Sequence, residues 1–452
     1  MTTLIPDFPA RPVPGPIPPW PFPAGVTGQI PGGPATLRCD LPGRRLAAVR
    51  LVLDAGAGRE PAGQDGVATL AAHALLEGTE PGGGTALAAA FERLGASLYA
   101  TADLTSLRIA LDAPATRLGA ALELLSDVVR RPALDDADVK RLVRERLEEI
   151  AQEDADPGAR AMRELRARLF PAGSRPARPT GGSPDTVKEL TGEQVRAFYS
   201  AVAPAEGTAV ITGDLAGLDA EAMLAEAFGG WRATGSPLAP PDTAAPTPGP
   251  RLVIVDRPGS VQTYLSFGHG VPPRSHPDWP LLAVACHVLG GGLTSRLNAL
   301  LREEKGYTYG MRAGLLRMRH CGVFVAQGSV HTEVTADAVT DALGALRSML
   351  DGVGEAECRA SVSALADRAP ADYETARSVA AEFADAASAG LGPDYPRRYL
   401  DDLRAATADE VARAYAEHVR QDALTVIAVG DAAQIRGPLE DLGHTEITVV
   451  EG

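Results

Sequence analysis

Two side chains seven residues apart, Arg302 and Tyr309, are the pair in this sequence best suited to gripping a polarised oxygen. A guanidinium presents a fixed fork of N–H donors and a phenol adds an O–H, and both suit a carbonyl or a carboxylate. They lie in the stretch Leu289 to Ala313, LGGGLTSRLNALLREEKGYTYGMRA. Gly290 to Gly292 allow a turn or a close backbone approach. Thr294 or Ser295 is placed to cap a helix whose Leu297, Leu300 and Leu301 share one face. Gly306 stops that helix, and Tyr307-Thr308-Tyr309 opens a strand. Helix, glycine and strand in succession predict Arg302 and Tyr309 side by side, with Tyr307 packing. Taken alone, an Arg near a helix C-terminus serves the helix end and an aromatic in a strand serves the core. The pair therefore needs support from elsewhere in the chain.

The other candidate chemistry is on the predicted helix within Gly66 to Thr79, GVATLAAHALLEGT, which holds one imidazole, His73. A zinc hydrolase with the motif H-x-x-E-H uses two histidines one turn apart as ligands and the intervening glutamate to activate the metal's water. Written onto this chain those positions are Thr69, Ala72 and His73, so the first histidine and the base are missing. Thr69 is a poor ligand, and Ala72 cannot accept a proton. His73 accordingly reads as a partly buried helix residue. His287, at the corresponding place in the second half, has no carboxylate at metal spacing and reads the same way. The chain has no G-x-S-x-G elbow, P-loop or dinucleotide fingerprint in its strand context.

Hydrophobic periodicity predicts the elements that must position these groups. Strands are expected at 44–56, from Ala96, at 105–113, 207–215, 251–256 and 262–268. Helices are expected at 66–76, 85–94, 117–130, 135–153, 189–201 and 278–288, with regular structure starting near Thr36. The pattern repeats. LTGEQVRAFYSAVAPAEGTAVITGDL (Leu190 to Leu215) recurs as ATADEVARAYAEHVRQDALTVIAVGDA (Ala406 to Ala432), and GASLY from Gly95 recurs as GYTY from Gly306, all at a near-constant offset. Two copies of one module follow, of a normal domain size. Clustered strands and helices make the fold class α+β: two homologous domains, each a mixed, mostly antiparallel sheet with helices on one face. The expected divisions are a proline-rich arm at 1–24, a first domain at 25–232, a stiff proline-rich linker at 233–250 and a second domain at 251–452.

Composition narrows the function classes. A net charge of −15 with no long basic run excludes a nucleic-acid binder. Hydrophobic content of 45% and charged content of 22% are ordinary for a globular protein. Cys39, Cys286, Cys321 and Cys358 are scattered and read as buried thiols, which suits a cytoplasmic location. The N-terminus lacks the basic start and apolar core of a secretory signal, and no apolar stretch reaches membrane-spanning length.

These motifs resemble the inverzincin family that includes pitrilysin, insulysin and the mitochondrial processing peptidase. The likeness rests on G-V-A-x-x-x-x-H-x-L-x-x-G-T from Gly66, the T-x-x-x-V-x-x-x-Y…G-D endings of both copies, the Asp256 to Gln262 strand entry, and G-G-G-L-T-S-R-L…R-E-E-K-G-Y-T-Y. It covers nearly everything after the arm. The resemblance implies a third zinc ligand within Leu147-Glu148-Glu149-Ile150, which makes Glu149 the counterpart of that glutamate. His73 and Glu149 would then be vestigial ligands, two where a catalytic zinc takes three plus water. It also implies that Arg302 and Tyr309 match a pair that holds substrate near zinc in active members. The expected role is a subunit without its own zinc in a heterodimeric metallopeptidase: a homologous partner supplies H-x-x-E-H, zinc and the base, and this chain binds and positions the peptide. The alternatives are a structural scaffold, which would have no need of the Arg/Tyr pair, and a peptide-binding chaperone.

Overall fold

The computed structural model describes residues 15, 18–80, 82–247, 251–444 and 446–452. Most of the expected N-terminal arm (1–14, 16 and 17) and the end of the expected linker (248–250) lie outside the described residues. In chain order the strands are β1 (Val26–Gln29), β2 (Ala35–Asp40), β3 (Leu46–Leu53), the two-residue pair β4 (Gly78–Thr79) and β5 (Gly82–Gly83), β6 (Ser97–Ala102), β7 (Leu107–Pro114) and β8 (Thr208–Gly213). The second half contributes β9 (Arg251–Asp256), β10 (Gln262–Val271), β11 (Thr308–Arg317), β12 (Gly322–His331), β13 (Thr425–Gly430) and β14 (Ile447–Glu451). Regular structure starts at Val26, ahead of the expected Thr36. The β1 residues are mostly exposed, so no apolar alternation marks them.

Two six-stranded mixed sheets result, ordered β1-β2-β8-β3-β7-β6 and β11-β12-β10-β13-β9-β14. Each has an internal parallel pair, β2 with β8 and β9 with β13, and beyond β8 and beyond β13 the next three strands (β3-β7-β6 and β10-β12-β11) all pair antiparallel. Those five strands repeat in the same order. The copies differ at one edge, where β1 pairs antiparallel with β2 but β14 pairs parallel with β9.

The repeated motifs do the same local work in both halves. Thr191 and Thr407 each open a helix, Gly192–Ser200 and Ala408–His418, with a reciprocal capping box to Gln194 and Glu410. Two turns on, Tyr199 donates to Val129 O at 2.8 Å and Tyr415 to Leu346 O at 3.2 Å, tying each helix to the one beneath it. Asp214 accepts from Gly43 N and Asp431 from Gly259 N, pinning equivalent turns. Each edge strand β6 and β11 follows a left-handed glycine, Gly95 at φ +66° and Gly306 at φ +65°. That conformation carries a steric cost for any residue with a Cβ.

Alternation along the strands sorts the core into layers. In the first sheet Val49, Leu51, Leu53, Ile109, Leu111 and Ile211 meet the helices of their own half. In the second, Leu252, Ile254, Leu265, Phe267, Phe324 and Val426 do the same. The opposite faces are closed reciprocally. Val253, Val255, Val323, Val325, Ile427 and Val429 pack under Ala161, Leu165 and Leu169 of the helix Pro157–Leu169, which belongs to the first half in sequence. The helix Ala376–Ser388 of the second half lies on β3 and β8, where Thr212 Oγ1 donates to Ala376 O at 2.7 Å. Phe22, 2% exposed, adds a further tie by packing edge-on against Tyr373 and Phe383 at 4.8 and 5.1 Å. The two halves are therefore interlocked.

Candidate functional site

The glycine turn and the start of β11 are held together by one buried amide. A turn of α-helix, Arg296–Asn298, continues as a π-helix over Ala299–Glu304. Its wider turns leave Leu301 buried while Glu303 and Glu304 stay exposed. Ser295 occupies the N-cap position as expected, but its side chain accepts no capping bond; its hydroxyl donates to Gly292 O at 2.6 Å. Asn298, 5% exposed, is the hub. Its Oδ1 accepts from Met311 N at 2.8 Å, and its Nδ2 reaches Met311 O at 2.9 Å, Gly292 O at 2.9 Å and Ser295 Oγ at 3.1 Å. Gly290 lets the preceding helix end close onto β11, because a Cβ there would meet Ala313 N at 2.4 Å.

The strand is bulged at this point. Its register with β12 shifts between Thr308 and Met311, so Tyr309 and Gly310 stand out of the ladder. Thr308 Oγ1 secures the bulge by accepting from Gly310 N at 3.0 Å and donating to Ser329 O at 2.6 Å. Tyr309 is 87% exposed in consequence, whereas Tyr307 packs against the core. The phenol lines an open groove of about 730 Å³. Gln262, Tyr264, Arg312, Gln327 and Ser329 also line it, together with the Gly290–Leu293 turn. Burial and the nearby Asp156 hold the Tyr264 phenol above its usual pKa, with Arg312 pulling it down.

Arg302 sits in the last turn of the π-helix, its side chain 34% exposed and its Nη1 3.4 Å from Glu303 Oε1. That nitrogen is shielded from solvent yet has no hydrogen-bond acceptor among the described residues. A buried N–H without an acceptor is uncommon and is satisfied when a ligand oxygen reaches it. Arg302 is not among the residues that line the groove at Tyr309. The π-helix does pack on β11, the strand that carries Tyr309.

Thr69, Ala72 and His73 lie on the helix Val67–Ala74. Ala72 is fully buried, and Thr69 and His73 are half-buried. The N-terminus of this helix is anchored by Glu60, whose Oε1 accepts from Gly66 N and Ala68 N while Oε2 takes a fork from Arg175. The helix Asp136–Ala155 packs against it and carries Glu149. Glu149 is exposed and ion-paired with Arg146 Nη1 at 3.0 Å, and Arg146 also forks to Glu153. The donor set here is one imidazole and one paired carboxylate, which does not fit a catalytic zinc. His287 shares a 3.0 Å hydrogen bond with Ser361.

Among the described residues one other group has metal-ligand spacing: His276, Asp278 and His418, with ligand atoms within 4.8 Å of one another. It reads as an ion-pair knot. Both Asp278 oxygens take Arg413, His418 Nε2 lies 2.8 Å from Oδ2, and His276 Nδ1 accepts from Asp278 N. The Arg413 fork holds the Asp278 carboxyl at about 2.

Asn298 and Arg312 were not found from the sequence. An Asn inside a leucine-rich helical run and an Arg in a strand carry no local signal. Their roles come from β11 folding back across the turn.

Two interlocked α+β halves of matching topology carry Thr69, Ala72 and His73 on a helix of the first and Arg302 and Tyr309 at the edge of the second. Residues 39–175 match Insulinase (Peptidase family M16), and residues 189–365 match Peptidase M16 inactive domain. An uncharacterized zinc protease of Mycobacterium tuberculosis is 31% identical over 336 residues, covering 73% of this chain and 76% of that protein. The crystal structure of a peptidase M16 inactive domain from Pseudomonas fluorescens has a TM-score of 0.83 at 23% identity, covering 90% of this chain and 98% of that one. A protease from Helicobacter pylori has a TM-score of 0.84 at 16% identity, covering 90% and 100%. The chain belongs to the M16 peptidase family. Among the described residues, no helix is long and apolar enough to cross a membrane.

Proposed function

We propose that this chain is the peptide-holding, zinc-lacking subunit of a two-chain M16 metallopeptidase, with units at 25–232 and 251–452 joined by the segment 233–250. The observation that carries the reading is the contrast between its two candidate sites. Ala72 puts a buried methyl where the general base belongs, while Tyr309 is thrust out of a bulged edge strand into an open groove. Bulges recur beside active sites because they re-aim a side chain.

In this reading an extended peptide adds to the free edge of β11 through main-chain hydrogen bonds, which makes binding tolerant of sequence. The Tyr309 hydroxyl and the unsatisfied Arg302 N–H donate to the reacting carbonyl as negative charge develops on it. Zinc and the base come from a homologous partner with an intact motif. The four cysteines are free and buried, consistent with placing the complex in the cytoplasm.

The test mixes the purified chain with an M16 chain that has H-x-x-E-H but lacks the Arg/Tyr pair, and follows cleavage of a fluorogenic peptide. The chain alone should be inactive and the mixture active. Arg302→Ala and Tyr309→Phe should each lower turnover by roughly 10²-fold, the effect of removing one oxyanion donor, with association unchanged. Stoichiometric zinc and cleavage by the chain alone would overturn the proposal. Full activity of both variants would leave the scaffold reading.

A further inference from the structure

Arg312 is the single charged residue among those lining the Tyr309 groove. It is exposed, and its guanidinium makes no ion pair or hydrogen bond with another described residue. Other charged side chains on this side of the molecule are engaged. Arg257 donates to the carbonyls of Asp154 and Ala155, and Asp156 caps the helix Pro157–Leu169 through Ala159 N.

Its place in the sheet says what it would meet. Arg312 is in register with Gln327 of β12, and Gln327 is in register with Ser266 of β10, so the three side chains form one row across one face. Gln327 is the cross-strand neighbour on one side. On the other side the row is open, because β11 is the outermost strand of its sheet. A strand added there would place one side chain directly opposite Arg312, about 4.5–5.5 Å away between Cβ atoms. Of the charged and neutral side chains that can occupy that position, a carboxylate matches the guanidinium fork in charge and geometry, whereas a lysine or arginine meets like charge.

We infer that this groove selects extended peptides with an acidic side chain seated across from Arg312 on the free edge of β11. The inference rests on the peptide-holding reading above and adds the substrate class. Gln262, Gln327 and Ser329 complete a polar, uncharged floor that tolerates varied side chains at the flanking positions, so selection falls on one position. Recognition is electrostatic and partly exposed, so it weakens as salt is raised.

The experiment measures binding of short fluorescein-labelled peptides of β-forming sequence to the full-length chain. The peptides differ only at one central residue: Glu, Gln or Lys. The Glu peptide should bind about fivefold tighter than the Gln peptide, with Lys weakest, as an opposed cross-strand charge pair predicts. In Arg312→Gln the Glu/Gln ratio should fall to one, and in Arg312→Glu the Lys peptide should become the tightest. An exposed side chain without partners makes both variants safe for folding. Equal binding of all three peptides to the wild-type chain, weakened by Tyr309→Ala, would overturn the charge selection and leave the groove reading standing. Absence of binding by every peptide would overturn both.

Discussion

Replacing Asn298 with alanine should loosen the Tyr309 bulge while leaving Arg302, Tyr309 and Arg312 in place. The side chain is 5% exposed and makes four hydrogen-bond contacts, two of them to the amide and carbonyl of Met311, which is itself fully buried. Alanine leaves both Met311 groups without their partner, at about 1–3 kcal/mol for each unsatisfied buried group. It also frees Gly292 O, which Ser295 Oγ still serves. Water entering from the adjoining groove offsets part of the loss. The net expectation is about 2–4 kcal/mol. Native-state amide exchange is the appropriate assay, because a two-domain chain need not unfold in one step. The Met311 amide and its neighbours along β11 should lose protection by about two orders of magnitude, while β3 and β8 of the first half keep theirs. Asn298→Asp provides a control. It retains the acceptor for Met311 N but turns a carboxylate toward two carbonyls, so protection should be lost near neutrality and partly regained at acid pH. Unchanged protection of Met311 in both variants would show that the amide is not the hub and would refute the reasoning.

Other expectations concern stability. Glu60→Ala removes the carboxylate that takes two Arg175 hydrogen bonds, leaves that buried guanidinium (side chain 4% exposed) with Asp65 at 3.7 Å, and frees two N–H groups at the start of the helix Val67–Ala74. A loss of about 3–5 kcal/mol is expected for half of a buried pair, read from urea unfolding; a loss below about 1 kcal/mol would contradict the burial. At Asp278 the carboxyl is held at about 2, below its ordinary 3.8, chiefly by the Arg413 hydrogen bonds. A depressed carboxyl contributes stability that is complete above the ordinary value and is lost as pH falls from about 4 to about 2. Arg413→Ala should therefore move the acid-unfolding midpoint upward in a circular-dichroism titration, and superimposable curves would refute the assignment.

The sequence alone determined the repeat and what sustains it. The T-x-x-x-V-x-x-x-Y and G-D motifs cap a helix, anchor a tyrosine hydroxyl and pin a turn, each within a few residues or against an adjoining element. Apolar patterning marked β3, β7, β8, β9 and β10 for the same reason, since periodicity is local, whereas β2, β12 and β14 drew no such expectation. The helix Pro157–Leu169 escaped notice because its apolar face is completed by a sheet that begins nearly a hundred residues later, and no local pattern names that partner. The same holds at the candidate site. The spacing of Arg302 and Tyr309 was legible. The π-turns under Arg302, the bulge that expels Tyr309, the Asn298 amide joining them and the open row at Arg312 were decided by how β11 returns across the glycine turn. That closure is a balance of buried hydrogen bonds and close backbone contacts between segments distant in register, and it exists only once the chain has folded.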